Sequence, residues 1–274
     1  MRNFYFRIQV ITLISLLGIL FIFYPEGFCS EFLQDDQVQE QEIKKAKIYE
    51  DIYPLISESD LYCSFFVWKG AKPEIEIIGA EREYEKTLLN DGDIFYVNKG
   101  KDDGLEAGQV FLIVEIGSNI ADFGPIAFKR GRAVVVDLED HHASAKVEKS
   151  CGSVMVGYFL IPFEEKEGQT GKDLGYDVSP SSIKEGVKGQ VIYLQKDFNQ
   201  IGKGYWALID IGEQDGIQVG QQLVIYRIVK EGTPVQVFGN IIVIDTQEST
   251  STVKVLSCKD VIRLGDLVHV RPSE

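Results

Sequence analysis

Histidine and cysteine are scarce in this chain, at three and four among 274 residues, which leaves little material for a metal site or a disulfide framework. Positive charge is also short: 28 Lys and Arg stand against 42 Asp and Glu, for a formal net charge of −14. A surface that acidic repels phosphate, which argues against nucleic acid and anionic lipid head groups as partners of the folded part. No G-x-S-x-G occurs, and no Cys–His or Ser–His arrangement can be placed near a common pocket, so nucleophilic catalysis has no visible machinery. The rest of the composition is ordinary. With 45% hydrophobic, 26% charged and 11% aromatic residues, the chain can bury the core of one or two globular domains.

The first thirty residues read as an address. Arg2 and Arg7 give a positive start, no acid precedes Glu26, and Ile8–Tyr24 is uncharged and largely apolar. Pro25 and Gly27 break the run, and Gly27-Phe28-Cys29 puts small residues at the −3 and −1 positions of a cut. Three readings follow, in order of preference. The first is a signal peptide cleaved after Cys29 or Ser30. The second is a retained anchor, because the run approaches the ~17 residues that span a bilayer. The third is a lipidated Cys29, disfavoured by Glu26 three places earlier. All three export the remainder to the periplasm or hold it at the membrane facing the periplasm or exterior. Membrane contact is then confined to residues 8–24, and only if they are retained. Export permits disulfides, yet Cys63, Cys151 and Cys258 are an odd set once Cys29 is lost. The preferred expectation is that Cys151 and Cys258, each following Ser at matching places in a repeat, are buried small apolar side chains. One bridge that includes Cys63 is the alternative.

The repeat organises the chain. Residues 98–116, NKGKDDGLEAGQVFLIVEI, match residues 210–228, DIGEQDGIQVGQQLVIYRI, with seven identities in 19 positions at an offset of 112. Farther on, residues 131–147 match 239–255 at an offset of 108, which Gly157 and Gly265 keep. The four-residue difference falls between Ile116 and Gly131, where the first copy has the longer connection GSNIADFGPIAFKR. The shared pattern G-x-x-D-G-[LI]-x-x-G comprises Gly100, Asp103, Gly104 and Gly108 in one copy, and Gly212, Asp215, Gly216 and Gly220 in the other. Runs rich in β-branched and aromatic residues flank it on both sides, as half-buried strands require. Asp-Gly is a turn pair, in which the Asp side chain can bond the following backbone N–H and Gly adopts positive φ. Leu105 or Ile217 then drops into the core as a plug.

The expected fold is all-β: two tandem small β-barrels of about five or six strands each, preceded by an N-terminal hydrophobic helix and a polar helical spacer. The expected limits are 1–30 for the signal peptide or membrane anchor, 31–73 for the spacer and a docking segment, 74–163 for the first barrel, 164–186 for a polar linker and 187–274 for the second barrel. Residues 53–72 hold Tyr62, Phe65, Phe66, Val67 and Trp68, too many large apolar side chains for a free tether, and are expected to dock against the first barrel.

The pattern GxxDGLxxG before a strand, with an apolar strand pair ending in I-x-x-G-D, resembles the small barrel modules of bacterial envelope proteins. Among these are the C-terminal domain of flagellar assembly protein T, the barrel pairs found beside peptidoglycan-binding LysM domains, and the barrels of rod-shape-determining protein C. The resemblance rests on Gly100, Asp103, Gly104, Gly108, Gly212, Asp215, Gly216, Gly220 and Gly265–Asp266, and covers about two thirds of the chain. The chain departs from the LysM-linked type in having no LysM segment within 31–73, and in carrying Tyr158 where the second copy has Asp266. The resemblance implies a non-enzymatic, extracytoplasmic scaffold or assembly role.

Local clusters receive bland readings. His141-His142, beside Glu139 and Asp140, sits where the second copy has Gln-Glu-Ser-Thr-Ser, so a solvated turn is preferred to a metal site. His269 alternates with Val268 and Val270 and is expected on a strand surface. Asp102 and Glu106 would supply a calcium loop, but Gln214 and Gln218 replace them in the other copy. Ser181-Ser182-Ile183-Lys184 matches S-x-x-K without the S-x-N or K-T-G partners, and Gly168–Lys172 lacks the first Gly and the strand of a phosphate loop. The expectation is therefore no catalytic residue, no metal and no cofactor. Envelope proteins or further copies of the chain are the expected partners. A cell-wall glycan (peptidoglycan) is the alternative, for which Trp68, Tyr205 and Trp206 form the candidate surface, although core packing is the default reading of Tyr205 and Trp206. A hydrolase using a metal at His141 and His142 is the last choice.

Overall fold

Each copy of the repeat folds as a ring of six antiparallel strands. The computed structural model describes residues 52–81, 87–183 and 186–271. The expected hydrophobic helix and most of the spacer lie outside the described residues. The first ring uses β3 (Ile75–Ala80), β4 (Ile94–Val97), β5 (Val110–Ile120), β6 (Gly124–Leu138), β7 (Ala143–Ser150) and β8 (Phe159–Pro162). Ahead of it stand β1 (Ile52–Ile56), a short helix α1 (Glu58–Tyr62) and β2 (Phe65–Val67), and after it β9 (Gln169–Lys172). The second ring uses β10 (Lys188–Leu194), β11 (Trp206–Ile209), β12 (Gln222–Arg227), β13 (Gln236–Thr246), β14 (Ser251–Cys258) and β15 (Leu267–Val270). Neighbour order runs β3-β4-β7-β6-β5-β8 in one ring and β10-β11-β14-β13-β12-β15 in the other, which is the same path strand for strand.

Register agrees as closely as topology. Phe95 faces Ala145 and Ala207 faces Val253 at matching positions. The irregularities after Arg132 and Val135 recur after Asn240 and Val243. A single-residue slip would turn every side chain to the other face, so two interiors with the same inward set confirm one pairing scheme. Phe95, Ala133 and Ala145 fill one core where Ala207, Ile241 and Val253 fill the other. The large ring in one copy is replaced by two larger aliphatic side chains in the second, which keeps the packed volume close. Charge is exchanged in the same manner. Arg130 pairs with Glu115 beside Tyr158 in the first barrel, whereas Arg227, standing where Glu115 does, binds Asp266 at 2.7 Å in the second. Tyr158 and Asp266 therefore differ because the sign of their neighbour differs.

The repeated turn closes one end of each barrel. Residues 101–103 and 213–215 form single 3-10 turns that dock on the β6–β7 and β13–β14 turns. The N–H groups of Lys101 and Asp102 donate to the carbonyls of Glu139 and Asp140, and those of Glu213 and Gln214 to Gln247 and Glu248. This approach leaves no room for a side chain at the first glycine. A Cβ on Gly100 would stand 2.4 Å from the Glu139 carbonyl oxygen, and one on Gly212 would stand 2.2 Å from that of Gln247. Asp103 and Asp215 reach backward rather than forward, accepting the N–H of Gly100 at 3.0 Å and of Gly212 at 2.9 Å. Gly104 and Gly216 take the left-handed conformation at φ 88° and 78°. Leu105 and Ile217 are buried, and Gly108 and Gly220 donate to the carbonyls of Val135 and Val243 at 2.8 Å.

Two segments differ from expectation. The longer connection of the first copy is a β-hairpin arm, since β5 runs to Ile120 and β6 begins at Gly124. The polar stretch is strapped down over its described residues 164–183: β9 pairs with β1, and Tyr176, Val178 and Ile183 cover Val224, Tyr226 and Val237 on the outside of the second barrel. Its few apolar residues are too widely spaced to show strand or helix periodicity, although Tyr176, Val178 and Ile183 are placed on that face. We predict that Gly100→Ala and Gly212→Ala each lower stability by about 2–4 kcal/mol through backbone clash, whereas Gly104→Ala, which meets no neighbour, loses only the ~1–2 kcal/mol of the left-handed conformation. Chemical denaturation of the three variants measures the difference, and equal losses would contradict the docking geometry.

Candidate functional site

Residues 52–68 form a wedge between the two barrels. Phe65, Phe66 and Val67 are consecutive on β2, and alternate side chains of a strand point to opposite faces. A strand buried on both sides needs an unbroken apolar run, and this one has it. Phe66 packs on Leu112, Val114, Ala127 and Phe159 of the first barrel. Phe65 and Val67 meet Ile120 and Ile126 of the hairpin arm together with Tyr193 and Leu208 of the second barrel. Upstream, Leu55, Ile56 and Leu61 lie on Ile242, Ile244 and Leu256 of the second barrel. The segment thus docks on both barrels, not on the first alone.

Two polar clusters anchor the wedge. In the first, Ser57 caps α1: its N–H and Oγ both donate to Asp60, at 2.8 and 2.7 Å. Asp60, itself buried, also takes Lys254 Nζ at 2.6 Å and Trp206 Nε1 at 2.9 Å from the second barrel. Thr252 Oγ1 donates to the Phe65 carbonyl at 2.6 Å. Burial would raise the Asp60 carboxyl, but Lys254, Ser57 and Trp206 together hold it below the ordinary carboxylate value.

In the second cluster, Lys129 of β6 reaches across to Asp245 of β13 at 2.7 Å and donates to the Leu61 carbonyl at 2.8 Å. Both side chains are almost fully buried, and Lys166 adds a second cation to Asp245 at 3.1 Å. Burial pulls the Lys129 ammonium down from the usual lysine value while Asp245 opposes it. Burial pushes Asp245 up, but Lys129 and Lys166 outweigh it and hold the carboxyl low. A cavity of about 210 Å³ opens beside the pair, lined by Tyr62, Phe66, Phe163 and Lys166 among others. With Asp245 and a carbonyl already bound to it, Lys129 acts as a fastener between barrels.

A disulfide completes the junction. Cys63, which ends α1, is bonded to Cys151, just past β7, closing a separation of 88 residues. The expectation of two equivalent buried thiols is overturned for a register reason. Gly131 pairs with Ser150 and Gly239 with Cys258, so Cys258 corresponds to Ser150 and not to Cys151. Cys258 packs against the second core, while Cys151 lies one residue farther on and meets the wedge.

The residues singled out from sequence do not converge. The glycine–aspartate turns sit at barrel ends as structural closures. Trp68 donates its indole N–H to the Ala71 carbonyl and packs with Phe66 over the first barrel. Trp206 belongs to the junction, through Asp60. Tyr205 is 42% exposed and stacks edge-on with Phe198, at 6.0 Å between centroids. His141 and His142 occupy the exposed turn after β6, where their neighbours are Asp102 and Glu139. Among the described residues no group of three or more His, Cys, Asp and Glu side chains converges on a point that could hold a metal. His269 is 1% exposed rather than on a surface, with Gly186 close to its ring. The fasteners Lys129, Asp245, Asp60 and Lys254 were missed by sequence reading. No local signal marked them, and the place of Lys129 is held in the second copy by Val237.

The sequence matches no protein-family model and no curated protein.

Removing one member of the buried pair leaves a charge without a partner. Asp245→Asn is expected to cost about 3–5 kcal/mol, and Lys129→Met combined with Asp245→Leu markedly less, both read by denaturant midpoint. Asp60 and Asp245 titrate below 3.8 in the folded chain, so their stabilisation is complete above that value and is lost as pH falls through their folded values. Asp245→Asn should therefore flatten the fall in melting temperature below pH 4; an unchanged acid slope would contradict the linkage. Cys63→Ser should cost about 2–5 kcal/mol, measured the same way.

Proposed function

We propose that the chain is a non-enzymatic scaffold or assembly protein of the bacterial cell envelope, exported through its N-terminal apolar run and binding other proteins through its two barrels. Its manner of working would be that of the flagellar-assembly and LysM-linked barrels it resembles. The observation that carries this reading is the junction. A wedge, two buried ionic fasteners and a disulfide hold two like barrels as one body, which suits a part that presents two surfaces at a set spacing. The disulfide supports export, because such bonds persist in oxidising compartments. Net charge of −14 supports protein partners over phosphate-bearing ones.

One observation favours a second reading, a module for cell-wall glycan. Phe198 and Tyr205 are both 42% exposed, and the backbone before them is held left-handed at Lys196 and Asp197, with φ of 58° and 53°. Strain of that kind in a non-glycine pair is kept where the surroundings impose it, often at functional sites. Exposed aromatic rings beside polar groups suit sugar rings.

The two readings separate by experiment. Chemical cross-linking of the protein in intact cells is expected to recover a stoichiometric envelope protein or a self-assembly, with no sedimentation on purified sacculi. A protein that stays monomeric and uncross-linked, yet sediments with sacculi in a manner abolished by Phe198→Ala and Tyr205→Ala, would replace the scaffold reading by the glycan one.

A further inference from the structure

The barrels differ at one equivalent edge. In the first, β7 covers the edge of β6 from Gly131 to Leu138, and β2 takes over beyond it, pairing Phe65, Phe66 and Val67 with Phe128, Ala127 and Ile126. Lys129 N–H donates to the Ser64 carbonyl at 2.9 Å, and Trp68 N–H to the Pro125 carbonyl at 2.8 Å. Phe66 and Trp68, two residues apart, thereby cover Leu112, Val114 and Ile116 on the outer face. In the second barrel β14 covers β13 from Gly239 to Thr246. Among the described residues no strand takes over beyond it.

The offset of 108 puts Val237 in the place of Lys129, and residues 233–236 in the place of 125–128. β13 begins at Gln236 and the Phe238 carbonyl is taken by the Lys259 N–H, so the uncovered edge is that of residues 236 and 237, where Val237 stands in the place of Lys129, whose N–H turns to the covering strand. Ile228, the counterpart of the covered Ile116, is 54% exposed. Beside this edge lies a cleft of about 810 Å³, lined by Ser181, Ile183, Tyr226, Ile228, Thr233 and Val235. The strap residues Tyr176, Val178 and Ile183 cover Val224 and Tyr226, the counterparts of Leu112 and Val114, and leave Ile228 open.

We infer that this edge of β13 accepts an antiparallel strand from another polypeptide, with large apolar side chains two residues apart entering the cleft. The occupant's chemistry is given by the strand that this chain lays on the matching edge, Ser64-Phe65-Phe66-Val67-Trp68. Main-chain pairing supplies affinity, and pockets for alternate side chains supply selection. The inference rests on the scaffold reading and names where the partner binds.

The test uses a fluorescent peptide of residues 64–72 titrated into the full chain. Saturable binding is expected, weakened at least tenfold by Ile228→Asp and by Val235→Asp, both on the cleft wall, with melting temperatures of both variants unchanged. No saturable binding to the wild type, or undiminished binding to both variants, would overturn the strand site. A concentration-dependent dimer that Ile228→Asp breaks would overturn it in favour of a second copy. In-cell cross-links that persist in Ile228→Asp would overturn the site while leaving the scaffold reading intact, whereas their absence from the wild type would remove that reading.

Discussion

The buried contact of Lys129 with Asp245, set against the wedge of residues 52–68, is the constraint on which the rest of the arrangement depends. Each barrel could close its own core alone, since each has a full ring of strands and its own apolar interior. What neither can do alone is satisfy the charges at the junction. Lys129 from one barrel is neutralised by Asp245 of the other, and its remaining contact is a backbone carbonyl of the wedge. Separation of the barrels returns both charges to water, but a partial shift leaves them buried and apart, which is costly. That asymmetry gives the junction one preferred geometry.

Duplication followed by divergence explains why the fasteners are asymmetric. Asp137 stands in the first barrel where Asp245 stands in the second, but only the latter is buried, under Lys129, which stands where the second copy has Val237. The same asymmetry sets the wedge. It adds a strand to β6 and none to the second barrel, so the second barrel keeps one uncovered edge beside an apolar cleft.

The barrels were legible in the sequence because closure depends on local signals. Gly100 and Gly212 mark a backbone approach with no room for Cβ, Asp103 and Asp215 cap it, and alternating apolar residues define the strands. The junction was hidden because its partners are distant in sequence and alike in type to ordinary surface residues. Nothing in Lys129 or Asp60 distinguishes a buried ion from a solvated one until the chain segments meet. The disulfide was obscured by a one-residue difference in register, which put Cys258 inside its barrel and left Cys151 free to find Cys63. Apolar residues in the polar strap, such as Tyr176 and Ile183, had no periodicity to reveal them.

The central claim, that wedge and fasteners make two barrels one cooperative body, is tested most directly by scanning calorimetry of the oxidised protein. The account predicts one unfolding transition whose calorimetric and van't Hoff enthalpies agree. Two resolved transitions, one for each barrel, would contradict it.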